Sequence, residues 1–159
     1  LKLYKVGIVT LSDKGYQGLR KDESGNLIRQ LIQAQFEVVH QTILPDEKDE
    51  LSRLLIEWCE TCDLILTTGG TGLGVRDITP EATLSVAEKE IPGISEGMRM
   101  FGIKKTPFAM LSRAVAVQRG KTLIINLPGS PKGVRENLTY LMPILSHALD
   151  ILTDHKTEH

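Results

Sequence analysis

The sequence predicts an α/β fold in three layers, helix on sheet on helix, with a mostly parallel sheet and an added antiparallel hairpin. Three observations carry that expectation. Short β-rich runs alternate with segments of helical apolar spacing through the first half of the chain, and that order lays strands parallel with helices on both faces. Polar loops beginning at Ser12, Gly69 and Pro128 each follow a strand-like run, and parallel strands would bring all of them to one rim. Late in the chain, two strand-like runs are separated only by Arg119-Gly120-Lys121, which reads as a hairpin. The length, 159 residues, suits one domain spanning residues 1–159 with a full core.

The elements follow in order. Tyr4 to Leu11 (YKVGIVTL) is a buried first strand, and the polar stretch SDKGYQGLRKDESGN reads as loop. Leu27, Ile28, Leu31 and Ile32 recur at helical spacing, with Ser24 as the cap. Phe36 to Leu44 is a second strand. Pro45 and Asp46 open a helix whose apolar face is Leu51, Leu54, Leu55 and Trp58. Asp63 to Thr68 is a third strand ending in the glycine turn. Thr79 and Pro80 start another helix, since proline suits its first turn. Ile91-Pro92-Gly93 breaks it, and Ile94, Met98 and Phe101 mark a further helix. Arg113 to Gln118 and Thr122 to Leu127 form the hairpin. Pro128 to Gly133 turns into a last helix, which Pro143 kinks or divides. The tail from Asp154 is expected to fray.

Charge and composition narrow the function. A net charge of −1 argues against a general nucleic-acid binder. No apolar run reaches the roughly 20 residues of a membrane helix, and Tyr4 to Leu11 is too short for a signal sequence, so a cytoplasmic location is expected. The charge is uneven: residues 101–145 carry seven basic side chains against the single acid Glu136, whereas residues 43–60 carry six acids against Lys48 and Arg53. Two solvated faces would explain this, as would an anion site facing a metal-binding acidic edge. Cys59-Glu-Thr-Cys62 has redox spacing but falls at the end of a predicted helix, and no second ligand pair accompanies it. Packing is the expected role.

The loops hold the candidate chemistry. A glycine-rich turn before a helix lets backbone N–H groups approach a phosphate, although its spacing here matches neither a P-loop nor a dinucleotide fingerprint, and a tight turn without a ligand reads equally well. Asp77 and Asp46 either favour helix N-termini or hold Mg²⁺ against phosphate oxygens. Ser112, Arg113 and Lys132 are candidate anion contacts. The histidines show no ligand spacing, and no nucleophile with a paired base is evident.

Together, TTGGTG-x3-RD-x-TPEAT, TPFAMLSRAVA and RGKTLIINLPGSPKGV closely resemble the MogA/MoaB family of molybdenum-cofactor biosynthesis, whose domain also occurs in fusion proteins such as gephyrin. The Ser12-Asp13 turn, Asp22-Glu-Ser24-Gly25 and Leu44-Pro45-Asp46 match as well. The resemblance implies a molybdopterin adenylyltransferase that uses ATP and Mg²⁺, or a non-catalytic pterin-binding or scaffolding oligomer of the MoaB type. It implies functional acids at Asp46 and Asp77 and a phosphate cradle at Gly69, Gly70, Thr71 and Gly72. Ser12, Asp13, Pro128, Gly129 and Ser130 would line the remaining loops. Family members associate as trimers, some as hexamers.

Overall fold

The chain is described here by a computed structural model covering residues 3–153. The first strand, β1 (Lys5–Leu11), is buried along nearly its whole length, as a strand flanked on both sides must be. It lies between β2 (Glu37–Leu44) and β3 (Leu64–Thr68), parallel to each. β3 pairs in parallel with β6 (Thr122–Leu127), which turns back antiparallel onto β5 (Ala116–Arg119). A two-residue edge strand, β4 (Lys89–Glu90), completes the order β2-β1-β3-β6-β5-β4. The expected three-layer fold with its hairpin is therefore what forms.

Alternation along the strands divides the core in two. Val6, Ile8, Leu64, Leu66, Leu123 and Ile125 face α2 (Glu23–Ile32), α5 (Pro92–Ile103) and α6 (Pro131–Leu152). Val9, Leu11, Ile65 and Ile124 face α3 (Lys48–Trp58) and α4 (Thr79–Ser85), meeting Leu51, Leu55, Trp58 and Ala82. Within this second layer Asn126 is fully buried. Its amide nitrogen donates to the Thr67 and Thr83 hydroxyls, each at 3.0 Å, and its carbonyl accepts the Val115 N–H at 3.1 Å.

Several local expectations need correction. A short helix, α1 (Asp13–Tyr16), interrupts the first loop. Asp22, not Ser24, caps α2, accepting the Gly25 N–H at 2.9 Å; Ser24 lies in the first turn and donates its hydroxyl to Gly129 O at 2.7 Å. α3 starts at Lys48, so Asp46 precedes the helix rather than opening it. Ile91 alone separates β4 from α5, which opens on Pro92, and a 3-10 turn at Pro107–Leu111 follows that helix. β5 begins at Ala116 instead of Arg113, because the Asn126 side chain takes the Val115 N–H. α6 runs unbroken through Pro143. Proline removes one backbone donor there, while buried Leu138, Leu141, Leu145 and Leu149 hold both sides of it to the sheet. The tail from Asp154 lies outside the described residues. No helix among the described residues is long and apolar enough to cross a membrane.

Candidate active site

Strand order reverses at β1: the chain leaves it for β2 on one side and returns to β3 on the other. Open parallel sheets form their ligand crevice at the carboxyl ends of the strands beside such a reversal. Here a cleft of about 790 Å³ lies there, lined by Ser12, Asp13, Asp46, Gly69, Gly70, Asp77, Gly129 and Ser130. A second, more apolar cavity of about 330 Å³ is lined by Thr71, Gly72, Ser112, Pro128 and again Ser130, with Met98, Phe108 and Leu111. Apart from Arg113 and Lys132, the predicted residues thus divide between two adjoining cavities.

The glycine turn is dictated by close approach. Gly69 has φ +95°, and a Cβ there would sit 2.5 Å from the Leu11 carbonyl oxygen. No L-residue fits that position without displacing β1. Gly69 donates its N–H to Leu127 O at 3.4 Å, while among the described residues the N–H groups of Gly70, Thr71 and Gly72 have no acceptor. The turn closes onto α4 through Thr79, whose hydroxyl donates to Gly69 O at 2.9 Å. Two helix N-termini also reach the cleft, those of α2 and α6, and their partial positive charge favours anions. Ser12 and Ser130 accept the N–H groups of Gly15 and Gly133, which leaves each hydroxyl proton to donate.

The acids are arranged unequally. Asp13 and Asp46 exchange hydrogen bonds: the Asp13 N–H donates to Asp46 Oδ2 at 3.1 Å, and the Asp46 N–H donates to Asp13 Oδ1 at 2.9 Å. Arg76 Nε and Nη2 grip both Asp13 oxygens at 3.1 and 2.9 Å, and Nη2 also reaches Glu47 at 3.0 Å. Arg76 and the Asp46 N–H hold the Asp13 carboxyl below its ordinary range. Asp46 moves the opposite way: burial raises it first, and the charges of Asp13 and Asp77 add to that. Asp77 Oδ2 accepts the Gly74 N–H at 2.8 Å. Among the described residues no three His, Cys, Asp or Glu side chains converge on one point. The acids feel one another's charge without forming a closed cage, because Asp13 faces Arg76 and Asp77 faces its own loop. Such a partial donor set fits Mg²⁺, which commonly takes one or two carboxylates and completes its shell with water and substrate phosphate.

Arg113 is placed differently from the expectation of an anion contact. Its Nε donates to Gly72 O and Nη2 to Asp77 O, each at 2.7 Å, and Nη1 pairs with Glu81 at 2.5 Å. The guanidinium thus ties the glycine loop to α4. Lys132 is exposed and lines neither cavity. The cations that do line the larger cleft are Lys14, Arg20 and Lys21, which the reading of the C-terminal basic run passed over. Their signal was present as three basic residues within the loop that leaves β1. Thr10 and Asp22, which also line the cleft, were missed too; the Thr10 hydroxyl donates to Asp22 at 3.0 Å.

This is a doubly wound α/β domain with its cleft at the reversal of strand order. The chain belongs to the probable molybdopterin binding domain family, whose model matches residues 7–147. It is 42% identical over 152 residues to the molybdopterin adenylyltransferase of Helicobacter pylori strain J99, covering 92% of this chain and 86% of that protein. It is 43% identical over 141 residues to the molybdopterin adenylyltransferase of Haemophilus influenzae Rd, covering 86% and 72%. The crystal structure of the molybdopterin biosynthesis enzyme MoaB from Thermus thermophilus superposes with a TM-score of 0.90 at 49% identity, covering 96% and 98% of the two chains.

Proposed function

We propose that this chain is a molybdopterin adenylyltransferase, transferring AMP from ATP to the terminal phosphate of molybdopterin with release of pyrophosphate. The observation that carries the reading is that Asp46 and Asp77 line one cleft at the strand-order reversal, beside a glycine turn with free N–H groups. A phosphate oxygen of the pterin attacks the α-phosphorus of ATP; the new P–O bond forms as the bond to the β-phosphate oxygen breaks, and pyrophosphate leaves. Two anions must approach. At about 4 Å, unit charges repel by about 1 kcal/mol in water but about 4 kcal/mol at an effective dielectric near 20. Lys14, Arg20, Lys21, the Gly70 N–H and the α2 and α6 N-termini lower that repulsion by lying around the cleft. Mg²⁺, held by Asp46 and Asp77, would neutralise phosphate charge when bound. No side chain has to form a covalent intermediate.

Two adjoining cavities suit two substrates, one polar and rich in charge, the other with apolar walls for a flat ring. The reading includes a single cytoplasmic domain that assembles as a homo-oligomer, a trimer or hexamer. Purified protein with molybdopterin, ATP and Mg²⁺ should release pyrophosphate only when the pterin is present. Binding of both substrates without release would instead identify a non-catalytic scaffold.

The CxxC pair plays no part in this chemistry. Cys62 is buried and its thiol is pushed up to about 11, and burial raises Cys59 as well. Redox thiols are shifted the other way. Cys59→Ser and Cys62→Ser should therefore each leave pyrophosphate release within about twofold of the parent, with the cost of a buried hydroxyl, about 1 kcal/mol, appearing only in stability. A large rate loss at unchanged melting temperature would give the thiols a chemical role.

A further inference from the structure

Arg76 is half exposed, with 54% of its side chain accessible. A long cation in that setting usually remains hydrated. This one instead makes three hydrogen bonds to two other rim loops. Its fork holds both oxygens of Asp13, after β1, and one nitrogen also reaches Glu47, after β2. Asp13 in turn holds the Asp46 backbone N–H and gives its own N–H to the Asp46 carboxylate. Arg76 is also the chain neighbour of Asp77. One side chain thus connects the loops that follow β1, β2 and β3, with a functional acid on two of them.

We propose that Arg76 is a positioning residue: it fixes the spacing of Asp46 and Asp77 through Asp13, and it cancels the Asp13 charge so that this acid acts as a brace and not as a third ligand. The proposal rests on the adenylyltransferase reading for its kinetic consequences, but not for its structural ones. A planar fork suits this task because it fixes orientation as well as charge, which a lysine ammonium does not. Without Arg76, Asp13 would add an uncompensated negative charge where two phosphate-bearing molecules meet.

The test uses Arg76→Ala, Arg76→Lys and Asp13→Asn in the full chain. Exposed ion pairs add little stability, so all three should stay folded. Arg76→Ala should lower kcat by about 10- to 100-fold, the scale of a displacement near 1 Å, with KM for ATP within about threefold. Arg76→Lys restores charge without the fork and should remain at least about tenfold down. Asp13→Asn keeps an acceptor for the Asp46 N–H, and its double variant with Arg76→Ala should be no slower than the slower single, because both act on one linkage. A readout free of substrate accompanies these rates. The Asp13 and Asp46 amide resonances, each bonded to the other's carboxylate, should move upfield and exchange faster in Arg76→Ala, with distant amides unmoved. A kcat within twofold of the parent, multiplicative losses in the double variant, or unshifted amides would overturn the proposal. If the parent protein releases no pyrophosphate at all, the functional reading fails, and the amides still decide the brace.

Discussion

Asp77→Asn should abolish turnover, lowering kcat by about a thousandfold, about 4 kcal/mol of transition-state stabilisation, while molybdopterin affinity stays within a few-fold. The substitution changes little in shape. Asn keeps an oxygen to accept the Gly74 N–H, which Asp77 takes at 2.8 Å, so the loop retains its anchor. Arg113 also still binds the backbone carbonyls at 72 and 77. Only the negative charge is lost, and with it half of the carboxylate pair proposed to hold Mg²⁺. Pyrophosphate release measured with a separate titration of pterin binding separates the two effects. Undiminished turnover would remove Asp77 from the chemistry, and loss of pterin binding would assign it to recognition instead.

Gly69→Ala should destabilise the fold by about 4 kcal/mol, combining the 1–2 kcal/mol for an L-residue at positive φ with a steric clash. The added methyl would lie 2.5 Å from the Leu11 carbonyl, a backbone atom of the central strand that cannot swing aside as a side chain could. For a chain of this size the melting temperature should fall by about 8–16 °C. Gly120→Ala is the matched control: its φ is also positive, at +56°, but nothing lies near its Cβ position. It should cost only about 1–2 kcal/mol. Equal losses at the two sites would show that conformation alone matters at Gly69, and an unchanged melting temperature would remove the close approach altogether.

Much of the fold could be read from residue order, because β1, β2 and β3 are bounded by polar loops and separated by helices of clear apolar spacing. β4 could not, since two residues carry no period. Pro143 misled for a different reason: local propensity disfavours helix there, but the buried leucines on either side override it. The cleft was legible in part. Asp46, Asp77 and the glycine turn stand at strand ends, where topology alone brings them together. The direction of a long cation is not encoded in its neighbours. Arg113 turns toward Glu81 and the carbonyls of a loop some forty residues earlier, and Arg76 toward Asp13 across 63 residues. Counting basic residues along the chain therefore selected Arg113 and Lys132, while the cleft takes its cations from the loop after β1.

Ser130 borders both cavities, so two small molecules seated in them are neighbours across one residue. A compound joining a ring for the apolar side to a polyanion for the other by a short tether would make its second attachment intramolecular. Avidity of that kind raises binding by about 10²–10⁴ over the separate halves, and the partition at Ser130 sets how short the tether can be.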